Sequence, residues 1–577
     1  MKTKIPVLLL LLLPFMGWAA PVPVETARRQ AEGFLRAQLP GRNPGLQLVF
    51  EAPHLTKGIS AAPEYYIFSN EPGGYVIAAG DDSVPAILGY SDRGRFDAVS
   101  MPENLKEWLG MWREIIAENR RSGAAPWQET PGTKAGGERL LETAQWSQGD
   151  PYNNKCYVIA GAHCQTGCTA TATAIILRYH KWPAKGSGTL PAYSYEDDDA
   201  VSHSVGAVSL GHSYNWSQMP LVNDGTWTSA QKDQVSTLMY DLAVMVKSSF
   251  GLEGTSAVFQ NVLPGLLQYM NYDGAAFLDG KSMYATTGDW VRRLKEDIDQ
   301  VGPVMYSAQT ADAKPSGHAF ILDGYDSNNY FHINWGWGGK DNGYYVIPSF
   351  GDYTKSHKAL LGLKKNAGGK APESIEIYRP GIVVSESSFE TGKSFKLTFS
   401  ILNSGSEVFS GECAVAKFSR DGSLDELVSP VIDVDELNSY YYGTVKDLIC
   451  KITTDIHAGD YLTIVWRSSS HPDWEEARYD HETTDLTGQV PVGDTVILER
   501  AVGLSYDKSS GTLTVNFSCD AERELRSQDG KKFTTGVTDS GNTMKVDTKQ
   551  LAPATYTLHL QRGEQVKDIK LKIGLKN

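Results

Sequence analysis

Past its first sixteen residues the chain has no apolar run approaching the roughly 20 residues that span a bilayer. An integral helical membrane protein is therefore excluded. A basic excess is also missing: 54 Lys and Arg against 68 Asp and Glu leave a formal net charge of −14. A phosphate-binding surface needs clustered Lys and Arg, so nucleic acid is not an expected partner. Six cysteines in 577 residues are too few for a disulfide scaffold. Internal repeats and low-complexity tracts are absent as well, which removes solenoid architectures. What remains is an ordinary globular mixture, 41% apolar and 21% charged, able to bury a large core and long enough for three to five domains.

The one apolar run is at the start. Lys2 and Lys4 precede Ile5 to Met16 (IPVLLLLLLPFM), and Gly17-Trp18-Ala19 sets small residues where a signal peptidase reads them. Residues 1–19 therefore read as a signal peptide cut after Ala19. The mature protein is expected to be exported, with no transmembrane segment, to the exterior or the cell surface. Export permits disulfides, and Cys156 with Cys164 or Cys413 with Cys450 are the pairs that spacing and region allow. His163, Cys164 and Cys168 lack a second ligand pair at metal-site spacing, so neither metal nor cofactor is expected.

Texture divides the rest. Val24 to Leu39 has helical periodicity, closed by Pro40-Gly41. Strand-like pieces follow at Tyr65 to Phe68, Gly74 to Ala78 and Ala86 to Tyr90, then an amphipathic helix at Leu105 to Asn119. Arg120 to Arg139 is polar, with several Gly and Pro, and reads as an exposed linker. Residues 135–365 mix helix and strand patterns. After about 366, short alternating runs such as Phe395 to Leu402, Tyr461 to Trp466 and Thr512 to Phe517 read as β-sandwich modules, with a break near Gly488-Gln489-Val490-Pro491.

Chemistry concentrates between 148 and 339. Cys168 opens a small-residue segment that becomes an apolar helix and stops at Pro183. A thiol at a helix start faces free N–H groups and the positive end of the dipole, which favour the thiolate. The segment alone fits a nucleophile or an inert buried cysteine equally well. A nucleophilic Cys needs a base, and Gly317-His318 opens an apolar strand 150 residues downstream. His318 by itself could be a packed histidine. Sixteen residues on, Asn334-Trp335 ends the next strand before Gly336-Trp337-Gly338-Gly339. The order Cys, His, Asn at these spacings is that of papain-like enzymes. Gln148, twenty residues before Cys168, offers an amide that could join the Cys168 N–H as oxyanion donor.

With these residues in hand, Gln148 to Asn153, Thr166-Gly167-Cys168 through Pro183, Gly317-His318-Ala319 and Asn334 to Gly339 resemble the streptopain family of secreted bacterial cysteine proteases. Gly73 to Ala78, Gly80-Asp81-Asp82 and Ile87 to Ser91 are similar to that family's pro-domain. The resemblance covers residues 20–365 and implies an α+β fold: a papain-like, two-lobed catalytic domain (135–365) behind an inhibitory pro-domain and linker (20–134). It implies Cys168 as nucleophile, His318 as general base and acid, and Gln148 as oxyanion donor, with Asn334 and Trp335 sharing the orienting role. It also implies a cleft lined by Gly317 and by a Gly/Ser loop, here Gly251 to Ala257 with Ser256. Leu252 and Glu253 stand in that loop where smaller residues are the family's habit. The implied partners are protein or peptide substrates and the chain's own pro-domain. A β-sandwich module (366–488) and a C-terminal β-domain (489–577) complete the division. The run Val546 to Leu560 with Gln561 to Glu564 resembles the terminal domain of type-nine secretion cargo, a pattern any small β-sandwich also produces. Two other functions remain open to the sequence: an exported binding or adhesion protein on a degenerate protease core, and a thiol amidase or acyltransferase acting on cell-wall peptides.

Overall fold

The computed structural model describes residues 18–573 except 40–44, 54–61, 71–72, 128–136, 198, 310–316, 348–355, 387, 406, 484–485, 493–501, 508–509, 518–521, 528–531, 533–536, 541–542, 553 and 563–564. The signal-peptide core and residues 128–136 of the expected linker thus lie outside the described residues. The fold is α+β.

Its centre is one eleven-stranded sheet. From the N-terminal region come helix α1 (Val24–Gln38), strands β1 (Gln47–Glu51), β2 (Tyr65–Asn70), β3 (Gly74–Ala79) and β4 (Ile87–Ser91), and helix α2 (Glu103–Ser122). The short β5 (Arg139–Leu140) follows, then helices α3 (Cys168–His180), α4 (Ser229–Met245) and α5 (Thr287–Gln300). The remaining strands are β6 (Phe277–Gly280), β7 (Val304–Gln309), β8 (Gly317–Tyr325), β9 (Phe331–Asn334), β10 (Gly343–Tyr345) and β11 (Lys358–Leu361). Spatial order runs β1-β2-β3-β4-β10-β9-β8-β7-β11-β6, with β5 also paired to β8. The N-terminal strands therefore continue the later ones, joined where Tyr90 faces Tyr344 and Gly89 faces Tyr345.

Strand alternation sorts the core into two layers. On one face Met305, Ala319, Ile321 and Leu360 pack with Ile175 and Ile176 of α3 and Leu238 and Leu242 of α4. On the other, Val304, Tyr306, Phe320 and Leu322 pack with Trp290 and Leu294 of α5 and with Leu105, Trp108 and Trp112 of α2. The buried residues of α2 recur at three- and four-residue intervals, the stripe that a 3.6-residue period lays against a sheet.

After β11 the chain forms a sandwich. Strands β12 (Ile375–Val384), β13 (Ser394–Asn403) and β15 (Tyr442–Lys451) make one sheet, while β14 (Phe409–Phe418) and β16 (Tyr461–Ser468) are central to the other. Phe395, Leu397, Phe399 and Ile401, alternate residues of β13, meet Val415, Leu462, Ile464 and Trp466 in its core. A last region pairs β17 (Thr512–Phe517) with β18 (Thr543–Asp547), and β19 (Ala554–Arg562) with β20 (Gln565–Ile573).

Four expectations need correction. Arg120 does not open a linker: α2 continues to Ser122, and Arg120 reaches Asp81 Oδ2 at 2.8 Å and the Gly80 carbonyl at 2.8 Å. The break near 488 falls inside the sandwich, because Val490 and Val492 are in its core and Leu462 faces Val490. The boundary at 365/366 also moves, since Asp273 Oδ2 accepts from Ala367 N at 2.6 Å and Gly369 N at 3.1 Å and so keeps that stretch on the first core. Finally, Cys156, Cys164, Cys413 and Cys450 are all free thiols, and the last two sit in different sheets of the sandwich.

Candidate active site

The nucleophile position is prepared by its own sequence. Gly167, the residue before α3, has φ +84, and a Cβ there would lie 2.7 Å from the Thr255 carbonyl oxygen. Only glycine satisfies both the left-handed backbone and the close approach. Cys168 is then the first helical residue, where backbone N–H groups have no partner within the helix. Thr169 to Leu177 are all buried, so small residues let this helix run through the interior. Thr166 and Thr171 join their hydroxyls at 2.7 Å, tying the approach segment to the first turn.

His318 is the second residue of β8 and faces Ala308 across the sheet. It shares parity with Phe320 and Leu322, whose face α2 covers. Its Nε2 stands 3.1 Å from Glu107 Oε1 of α2, with both side chains largely buried. Its Nδ1 is buried and makes no hydrogen bond. The imidazole lies beside Cys168, and the two shift one another. Burial alone would push the thiol up, but His318, the Ala319 N–H and the Thr169 hydroxyl pull Cys168 below its ordinary value. Burial alone would lower His318, but the thiol and Glu107 raise it to about 10. A thiolate–imidazolium pair is the state such mutual shifts favour.

Gln148 is buried, and its carbonyl accepts from Thr166 N at 3.0 Å, which seats its loop against the run-in to α3. The structure thus gathers Cys168, His318 and the backbone of Gln148. It does not bring Asn334 to the histidine. The Asn334 amide donates at 3.0 Å to both Thr143 Oγ1 and the Ala144 carbonyl, and its Oδ1 accepts from Gly336 N at 3.1 Å. Trp335 is fully buried, with its ring centroid 5.1 Å from both Phe320 and Tyr345 and Nε1 donating to the Asp341 carbonyl. Gly317 is exposed at the open end of β8, and Ser256 is exposed in a loop held by paired backbone bonds to Ser249.

Three residues of the site escaped sequence reading. Glu107 and Asn104 lie three apart near the start of α2, where a polar residue looks like an ordinary solvent-facing position; Asn104 Nδ2 donates to the Trp335 carbonyl at 2.6 Å. Thr255 donates to the Gln165 carbonyl at 2.7 Å and accepts from Gly251 N at 3.1 Å, so it pins the 251–257 loop beside the nucleophile. Among the described residues no group of three or more His, Cys, Asp or Glu side chains gathers as metal ligands. No described helix is long and apolar enough to cross a membrane.

Comparison with known proteins bears on this geometry. The model of the Peptidase C10 family matches residues 146–345, a span that contains Gln148, Cys168 and His318. A second model, the Spi protease inhibitor, matches residues 19–116, which contain Asn104 and Glu107. The thiol protease/hemagglutinin PrtT of Porphyromonas gingivalis is 26% identical over 579 residues, covering 92% of this chain; the chain spans 63% of that relative's length. Streptopain of Streptococcus pyogenes is 29% identical over 406 residues, covering 64% of this chain and 96% of streptopain. A fragment of Prevotella intermedia prointerpain A, a solved structure, has 27% identity and a TM-score of 0.46, covering 56% of this chain and 99% of its own. An inhibitor-type region is thus followed by a Peptidase C10 region that holds the thiol and imidazole, and the chain is similar to streptopain and carries a cysteine peptidase.

Proposed function

We propose that this chain is a secreted cysteine endopeptidase made as a zymogen. The Cys168 thiolate attacks a peptide carbonyl, and His318 passes the thiol proton to the leaving amine. Water then attacks the thioester, with His318 as base, and releases the acid and the free thiol. The Cys168 N–H and the Gln148 amide hold the oxyanion. Residues 135–365 form the papain-like, two-lobed catalytic domain, to which the stretch through Gly369 is attached. Residues 20–134 are the inhibitory pro-domain, and the β-rich remainder is accessory. Gly317 and Ser256 line the cleft.

The observation that supports this most is the coupled pair: a thiol pulled down and an imidazole pushed up by one another at a helix start. An adhesion protein on a degenerate core has no use for that coupling. Latency has a physical basis in α2, whose Glu107 carboxylate holds His318 Nε2 while Asn104 holds the Trp335 carbonyl. In the Cys168→Ala zymogen we expect neither self-processing nor casein cleavage, with the fold retained. A Cys168→Ala protein that still matured and cleaved casein would falsify the mechanism.

A further inference from the structure

Asn334 has no contact with His318, yet its surroundings are too well ordered to be idle. It is 1% exposed, and it bonds a buried threonine that in turn bonds a buried aspartate. Thr143 Oγ1 accepts from Asn334 Nδ2 at 3.0 Å and donates to Asp323 Oδ2. The other oxygen of Asp323 bonds His332 Nδ1 at 2.5 Å. Backbone bonds run alongside: Leu141 N to the Asp323 carbonyl at 2.8 Å, and Gly338 N to the Trp146 carbonyl at 2.9 Å. The segment from Leu141 to Trp146 is thereby laced to β8, β9 and the turn after it. Two residues later that segment delivers Gln148, whose carbonyl is bonded to Thr166 two residues before the nucleophile.

We propose that Asp323, Thr143 and Asn334 are positioning residues for the oxyanion donor, a buried polar clamp that sets Gln148 against the start of α3. The proposal rests on the cysteine-peptidase reading above. A network whose members are all satisfied holds one geometry, and oxyanion donors act only when aimed in advance. It also gives the segment after the linker a task. Arg139–Leu140 already pairs with Gly324 and Tyr325, so maturation has to leave this strand on the enzyme.

The test uses the matured enzyme. Thr143→Val keeps the shape and removes the hydroxyl that links Asn334 to Asp323. We expect kcat to fall about tenfold or more with KM changed by less than about threefold, as for loss of a transition-state contact. Thr143→Ser should restore kcat to within about twofold of wild type. Gln148→Ala should lose roughly 10²–10³ in kcat, and adding Thr143→Val to it should cost little more, because both changes act through one group. The pH profile of Cys168 alkylation by iodoacetamide should be unchanged in Thr143→Val, since alkylation needs the thiolate–imidazolium pair and no oxyanion donor. That unchanged profile also shows that the variant has folded. Additive losses in the double variant, or a shifted alkylation profile in Thr143→Val, would overturn the clamp while leaving wild-type hydrolysis intact. Wild-type enzyme that hydrolysed no peptide would instead overturn the reading on which the clamp rests.

Discussion

The strands from β10 to β6, the part of the sheet that carries His318, have two edges that are used differently. At one edge, β10, the N-terminal strands add on through Tyr90 and Tyr344, and α2 lays Trp108 and Trp112 over the face that carries His318. At the other edge the sandwich meets β6 and the turn after it through charge. Arg478 reaches Asp279 at 2.6 Å, Lys281 reaches Glu482 at 2.8 Å, and His481 N donates to the Ser282 carbonyl at 2.8 Å. The first attachment is broad and apolar but ends in a single carboxylate on the reactive imidazole. The second is a small set of ion pairs with no residue of the reactive pair in it. On the proposed reading, the attachment that maturation undoes touches the reactive pair, and the other does not.

Trp108→Ala should strike the first edge hardest. A fully buried Trp whose ring stands 5.0 Å from Tyr345 leaves a cavity on truncation. We expect the zymogen to lose about 3–5 kcal/mol in chemical unfolding, with premature thiol reactivity and an unaltered mature enzyme. Equal destabilisation of zymogen and mature enzyme would break the distinction. At the second edge, Arg478→Ala leaves Asp279, 5% exposed, with the Tyr284 hydroxyl and Gly280 N–H as remaining donors. A cost of about 1.5–3 kcal/mol in thermal unfolding is expected, with peptide hydrolysis unchanged. Loss of hydrolysis at temperatures where the variant is folded would show that the sandwich reaches the site after all.

Two smaller changes sharpen the picture at the inhibited edge. Asp341, whose carbonyl accepts from Tyr75 of β3 at 2.9 Å, has its carboxyl raised to about 6 by burial, with Lys340 opposing and Asp97 adding to the shift. A carboxyl that holds its proton more tightly when folded is favourable in acid and a penalty above pH 6. Asp341→Asn should therefore stabilise the zymogen by about 1–2 kcal/mol at pH 8, and the gain should shrink as pH falls through 6 toward 4. A gain independent of pH would contradict this. Glu107→Gln should cost about 1–2 kcal/mol of zymogen stability at neutral pH. His318 is raised above its ordinary 6.5 to about 10, so Glu107's share of docking is complete below 6.5 and fades as pH rises through 10. In the Cys168→Ala background, which removes the thiol's share of that rise, unfolding curves with and without Glu107→Gln should converge at a pH below 10.

Sequence reading found what is local and periodic. The helix at Val24, the strands at 65, 74 and 86, and the helix starting at Cys168 stand where small residues, glycines and alternation put them. It missed what depends on distant partners. Nothing around Arg120 announces that it will meet Asp81, and nothing in Glu107 announces His318. Asn334 was assigned to the histidine because its spacing fits, whereas Thr143, almost two hundred residues earlier, takes its amide. The boundary at 488 failed for a related reason. Gly and Pro mark turns equally well inside a module and between modules, and only the burial of Val490 and Val492 tells them apart.

The most direct test of the central claim is the rate of iodoacetamide alkylation against pH for zymogen and matured protein, with the labelled residue located by peptide mass spectrometry. The account predicts label on Cys168 in the matured protein, at a rate that persists well below the ordinary thiol pKa, and loss of hydrolysis in proportion to labelling. Hydrolysis that survives complete labelling of Cys168, or a Cys168 that titrates like a free thiol and leaves activity untouched, would contradict it.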